Sequence, residues 1–196
     1  MTEALREVLR DRDIRTALDA ALPRLHPGAF IRHEVGLCAG QRRVDVAVIT
    51  REGMHGYEIK SDADTLARLA GQAEAYGRVF DRMSLVATER HLAAATAAVP
   101  PWWEILLAQG PALHQVRAGT GHTGVEAFAL AQLLWREEAL AELRARGAAR
   151  GLSRARRWLV WTRLAQTVPL QELGAVVRDR LVARTWESAA QGVSRG

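Results

Sequence analysis

Residues 42–62, RRVDVAVITREGMHGYEIKSD, place an aspartate, a glutamate and a lysine in two short apolar runs separated by a glycine-containing break. Runs this close form a hairpin, turned through Arg51, Glu52 and Gly53. A two-residue loop at 51–52 or 52–53 makes paired residue numbers sum to 103 or 105, so odd positions oppose even ones. Asp45 then shares a face with Glu58 and Lys60, while Val44, Val46 and Val48 share the opposite, buried face with Tyr57 and Ile59. Two neighbouring carboxylates repel unless a cation offsets them. Mg²⁺ takes carboxylate oxygens and keeps several waters, so Asp45 and Glu58 are its expected ligands, with the Ile59 carbonyl as a further oxygen. Lys60 beside that ion would orient or deprotonate a water, and in-line attack on a phosphodiester is the chemistry that suits these parts. The plainer alternative is a surface hairpin with a weak exposed Glu–Lys pair.

Lys60 is the only lysine among 27 basic residues. Arginine does not substitute where a compact, titratable amine must approach a reacting oxygen, which marks Lys60 as a candidate for chemistry. The rest of the charge is uneven. Residues 1–100 carry 13 Arg and one Lys against 14 acids, and residues 101–196 carry 13 Arg against 8 acids. The whole basic excess lies in the second half, which points to a polyanionic partner or to a solvated helix surface.

With 196 residues, 48% of them hydrophobic, the chain has the size and apolar content for a buried core. Cys38 stands alone, which excludes an internal disulfide and a zinc site of paired thiolates. No apolar run is long enough to span a bilayer, and Glu3, Arg6, Glu7 and Arg10 occupy the stretch where a signal peptide is greasy, so a cytoplasmic protein without membrane contact is expected. The six histidines show no metal-ligand spacing, and neither a P-loop nor G-x-G-x-x-G is present.

These side chains need elements to position them. An amphipathic helix is expected from Thr2 to Leu22, ended by Pro23 and the His26-Pro27-Gly28 turn. Strands follow over Ala29–Leu37, Arg43–Thr50 and Met54–Ser61. A helix from Thr65 to Phe80 comes next, entered through Ser61-Asp62-Ala63-Asp64 with an Asp as cap, and then a strand at Met83–Thr88. Residues 89–98 read as a helix stopped by Pro100-Pro101; Trp103–Leu107 and Ala112–Val116 read as edge strands or irregular chain. Beyond the Gly119–Gly124 break the pattern is helical: a segment to Gly147 with Leu130, Leu133, Leu140 and Leu143 on one face, a helix over Ser153–Val168, and one from Pro169 with Leu170, Leu173, Val177 and Leu181 inward.

Asp45 followed by Glu58-Ile59-Lys60 resembles the D…(D/E)-x-K signature of the PD-(D/E)XK nuclease superfamily, with Val44 where the name motif has Pro. Gln72-Ala-Glu-Ala-Tyr76 looks like the Q-x-x-x-Y motif of its RecB-like branch, and the resemblance, to an uncharacterised bacterial group within it, covers roughly residues 3–90. It implies an α/β fold with a restriction-endonuclease-like core (helix, three-stranded meander, helix, strand). It also implies metal ligation by Asp45 and Glu58, catalysis by Lys60, and placement of Lys60 or the substrate phosphate by Gln72 and Tyr76. Glu34 is the choice, over Glu7, for the further acid that related nucleases often supply.

Arg154, Arg157, Trp158 and Trp161 fall at helical spacing, a stripe that would grip phosphates and stack on bases, unless the two Trp are core with Arg stems along their edge. Together these readings predict a nuclease-like domain at 1–118 and a small, all-helical, basic domain at 124–190 that binds nucleic acid. The expected activity is Mg²⁺- or Mn²⁺-dependent hydrolysis of nucleic acid, DNA before RNA. The rivals are a noncatalytic nucleic-acid-binding or assembly protein on the same scaffold, and a nuclease active only with a protein partner; a homodimer is left open.

Overall fold

Residues 8–184, the part of the chain that the computed structural model describes, build a mixed α/β fold around one six-stranded sheet. In chain order the elements are α1 (Asp11–Leu25), β1 (Phe30–Leu37), β2 (Arg42–Ile49), β3 (Met54–Lys60), α2 (Leu69–Gly77), β4 (Arg82–Thr88) and α3 (Glu89–Ala98). They continue with β5 (Glu104–Gln109), β6 (Ala112–Arg117), α4 (Ala127–Ala131), α5 (Arg136–Ala145), α6 (Arg157–Thr167) and α7 (Leu170–Ala183). Residues 2–7 of the expected first helix, Glu7 among them, and residues 185–190 of the expected helical part lie outside the described residues.

The strands lie in sequence order. β1, β2 and β3 form an antiparallel meander; β4 and β5 run parallel to β3, and β6 returns antiparallel at the edge. β5 is therefore an interior strand, and both segments left open by the sequence are strands. β2 pairs with β3 through Val46–Tyr57 and Ile49–Met54, the register that sums to 103.

Both faces of this sheet are covered, not one. Ile14, Leu18 and Leu22, at helical spacing on α1, pack with Val46, Val48, Tyr57 and Ile59 on one face. On the other, Ala47, Ile49, Met54 and Leu85 pack with Tyr76 of α2, and this cluster runs on into Leu140, Leu164 and Leu173 of the C-terminal helices, so the two expected parts share a core.

Val44 belongs to this second cluster and not, as alternation requires, with Val46 and Val48. The pairing keeps one register across the break, from His33–Val46 to Val35–Val44, while both strands swap faces between. Glu34 sits at the swap with φ of 57°, a left-handed conformation that turns β1 about its axis. Asp45, opposite it on β2, thereby lies at a twist point of the sheet.

Several helix boundaries differ from expectation. Pro23 does not stop α1 but lies inside its last turn, at the cost of one backbone hydrogen bond to the residue four back, and the helix is capped at His26, whose amide donates to the Leu22 carbonyl. α2 starts only at Leu69 and ends at Gly77, and neither expected Asp caps it. Asp64 accepts from the Ser61 backbone and hydroxyl, and Asp62 accepts from the Leu9 amide and the Thr88 hydroxyl. The helix expected up to Gly147 is broken between α4 and α5, and α6 starts at Arg157 because the guanidinium of Arg136 ties down the carbonyls of Ser153 and Ala155. Pro169 is the residue before α7, and Leu170 is exposed while Leu173, Val177 and Leu181 are buried. No helix among the described residues is long and apolar enough to cross a membrane.

Candidate active site

Glu58 and Lys60 alternate with the apolar Tyr57 and Ile59 along β3, and so point to the face that α2 covers. The Lys60 Nζ donates to Glu58 Oε1 at 2.6 Å and to Gln72 Oε1 at 3.2 Å. Gln72 Nε2 donates to Glu58 Oε1 at 2.7 Å and to the Tyr76 hydroxyl at 3.2 Å, one helical turn on. The Tyr76 hydroxyl lies 2.6 Å from the Arg43 carbonyl oxygen and 2.8 Å from Glu58 Oε2, so both Glu58 oxygens are held. Burial first, and then the Glu58 charge, push this hydroxyl above the ordinary phenol range. Four of the sequence-derived residues thus form one hydrogen-bonded group, and the Glu–Lys pair is not the weak surface pair of the plainer alternative but a buried one, with side chains 3% and 7% exposed for Glu58 and Lys60.

Asp45 joins from the twist point of β2. Its Oδ2 accepts the Ile59 amide at 2.7 Å, which fixes the carboxylate against the strand that carries Glu58 and Lys60. Its Oδ1 accepts from Arg15 Nη2 at 3.3 Å. Burial, and next the Glu58 charge, push the Asp45 carboxyl up to about 7, against the Ile59 amide and Arg15, which favour its charge. Asp45, with its side chain 22% exposed, and the half-buried Gln72 are the members of the group that reach solvent.

Glu34 does not join the group directly. Its carboxylate takes Arg15 Nη2 at 3.1 Å and Arg43 Nε at 3.2 Å, so that Arg15 stands between Glu34 and Asp45. Arg15 escaped the sequence reading. Its only signal was a position on the buried edge of an amphipathic helix, which any lysine or arginine stem can line.

Asp45 and Glu58 offer carboxylate oxygens, the donor type a hard divalent cation takes, and added positive charge would offset the Glu58 charge that raises the Asp45 carboxyl; both Glu58 oxygens already accept hydrogen bonds from Lys60, Gln72 and Tyr76. Among the described residues no three His, Cys, Asp or Glu side chains are grouped as a metal site, consistent with Glu34 being engaged by two guanidiniums. Mg²⁺ is commonly bound by one or two carboxylates and water.

The C-terminal stripe is divided. Trp161 is buried, its Nε1 donating to the Leu134 carbonyl at 3.0 Å, with the Arg157 guanidinium 5.3 Å from its ring centre. Trp158 is 53% exposed, and Arg154 precedes α6 instead of lying on it. Arg154, Arg157 and Trp158 remain at the surface; Trp161 is core.

Residues 18–191 match the family model described as Bacteriophage P4 protein cII. The chain belongs to the bacteriophage P4 cII family. The matched span takes in Glu34, Asp45, Glu58, Lys60, Gln72 and Tyr76, whereas Arg15 lies before it in this cII-family chain. No curated protein matches the cII-family chain. Among solved structures it is similar to a protein of unknown function from Silicibacter pomeroyi, with 19% identity, 76% of this chain and 99% of that chain covered, and a TM-score of 0.47.

Proposed function

We propose that this cII-family protein is a metal-dependent nuclease with a restriction-endonuclease-like core of the PD-(D/E)XK type, acting on DNA in preference to RNA. The observation that carries the reading is the Glu58–Lys60–Gln72–Tyr76 group, with the Asp45 carboxylate fixed beside it by the Ile59 amide. The order α1, β1–β2–β3, α2, β4, with β4 parallel to β3, supports the same core.

Asp45 and Glu58 would hold Mg²⁺ or Mn²⁺, which would supply positive charge to stabilise a phosphodiester in its transition state. Lys60 presents its ammonium to the scissile phosphate or to the attacking water, and Gln72 Oε1 accepts a second of its protons beside Glu58. Tyr76 locks the Glu58 rotamer through Oε2. Surface Arg154, Arg157 and Trp158 give the helical part a basic and aromatic patch for the nucleic-acid backbone and bases.

One observation favours a second reading. Glu58 and Lys60 are almost closed off from water and satisfied by one another and by Gln72 and Tyr76, as in a noncatalytic scaffold whose polar cluster serves structure. Incubation of the pure protein with single- and double-stranded DNA and RNA, in Mg²⁺, Mn²⁺ or EDTA, separates the two. Metal-dependent cleavage lost in Lys60→Ala and in Asp45→Ala is expected. Binding without cleavage in any metal selects the scaffold, and cleavage persisting in both variants places the chemistry elsewhere.

A further inference from the structure

On the face of the sheet opposite Glu58 and Lys60, the C-terminal half of α1 stands off the β5–β6 hairpin and leaves a cleft of about 670 Å³. Its floor is polar. Gln115 Nε2 donates to Glu104 Oε1 at 2.6 Å, the Ser84 hydroxyl donates to Glu104 Oε2, and His55 Nε2 lies 2.8 Å from the same hydroxyl. His26 Nε2 is 2.7 Å from the Tyr57 hydroxyl, and the His55 and Tyr57 rings stack with centres 4.5 Å apart. Ser84 and Tyr57 are fully buried. A hydrogen-bonded chain of this length beneath a helix is harder to bury than an apolar floor, and nothing in the acid–lysine site makes use of it.

The cleft's chemistry is graded from inside to outside. The Glu104 carboxylate has lone pairs beyond those given to Ser84 and Gln115, and accepts from an amino group or ring N–H. Leu106 and Leu113, with Ala17, Ala20 and Ala21 of α1, make the walls apolar, a surface that suits a ring face. Arg24, exposed on the last turn of α1, puts a guanidinium at the rim. Burial pushes His55 down to about 3 and His26 below its ordinary value, so both imidazoles are neutral at physiological pH and leave Glu104 free to attract a donor. The volume is that of a small-molecule site.

We infer that this cleft binds a nucleoside monophosphate, its base against Glu104 and Gln115 and its phosphate at Arg24. The inference does not depend on the nuclease reading, because the two sites lie on opposite faces of the sheet.

Calorimetric titration of the full chain with the common nucleoside 5′-monophosphates, their nucleosides and a short single-stranded DNA tests it. At least one monophosphate is expected to saturate with Kd below about 1 mM, and its nucleoside to bind more weakly. Glu104→Gln is expected to weaken binding about tenfold or more. Ala20→Trp, at an exposed α1 position that lines the mouth, is expected to abolish it with an unchanged melting temperature; Asp45→Asn, on the other face, leaves binding intact. Absence of saturable binding by every monophosphate, or binding unchanged in both cleft variants, overturns the proposal. Binding of the oligonucleotide alone overturns it too, by assigning the cleft to a nucleic-acid chain.

Discussion

The Lys60 ammonium stands 2.6 Å from the Glu58 carboxylate, with both side chains nearly sealed from water. Removing one member leaves the other as an uncompensated buried charge, which typically costs about 3–5 kcal/mol. Lys60→Ala and Glu58→Ala are each expected to lower the urea midpoint by that order. The double variant Glu58→Gln/Lys60→Met, which removes both charges at similar volume, is expected to lose less than either. Additive losses in the double variant would show that the pair contributes no mutual stabilisation.

The Asp45 carboxyl, pushed up to about 7 by burial and by Glu58, makes stability depend on pH in a defined direction. An unfolded aspartate titrates near 4, so folding favours the protonated form. That contribution is complete below about pH 4 and is lost as pH rises through about 7. Asp45→Asn should therefore gain on the parent protein across this window, by about 2–4 kcal/mol between its ends. Denaturation midpoints of both proteins at acidic and neutral pH read this directly; a constant difference contradicts it. The proposed catalysis requires the opposite state, an ionised Asp45, so under that proposal cleavage is expected to rise through the same pH range in which stability falls.

Gly56 on β3 sets how closely Met83 of β4 and Phe80, in the segment between α2 and β4, approach the strand that carries Glu58. A Cβ built there would lie 2.4 Å from Met83 Sδ and 3.2 Å from Phe80 Cδ2, both side chains buried. Gly56→Ala is expected to lower stability by about 1–3 kcal/mol through overpacking, measured by thermal melting. A neutral result would mean that Met83 swings aside into unfilled space.

Much of this arrangement is legible in the sequence, for identifiable reasons. The apolar alternation on either side of Arg51–Gly53 narrows the β2–β3 register to two, of which the structure takes the one that sums to 103. Either one brings Asp45 to the side of Glu58 and Lys60, although Val44 leaves the face expected of it. The spacing of Gln72 and Tyr76 puts both on the helix face that meets Glu58. What escapes is long-range or unsignalled. The face swap comes from a left-handed Glu34, a residue type that gives no hint of positive φ. Asp62 has the composition of a cap but is drawn off by Leu9 and Thr88. The delayed start of α6 depends on Arg136, some twenty residues upstream, gripping the preceding loop. The short apolar runs of β5 and β6 become strands through pairing with β4 and with each other, which no local pattern encodes.

Trp158 and Trp161 are separated by the same logic. Trp161→Ala empties a buried site and strands the Leu134 carbonyl, for an expected loss of about 3–5 kcal/mol. Trp158→Ala is expected to change stability by less than about 0.5 kcal/mol while weakening binding to single-stranded DNA, read by fluorescence anisotropy at fixed salt. Unchanged affinity in Trp158→Ala and in Arg154→Ala/Arg157→Ala would remove this patch from the interface.

Whether Asp45 and Glu58 together hold a divalent cation is read most directly by titrating Mn²⁺ into the protein at pH 8, followed by calorimetry or electron paramagnetic resonance. The account predicts a saturable site that disappears in Asp45→Asn and in Glu58→Gln and persists in Trp158→Ala. No saturable site in the parent protein, or one that survives both acid substitutions, would contradict it.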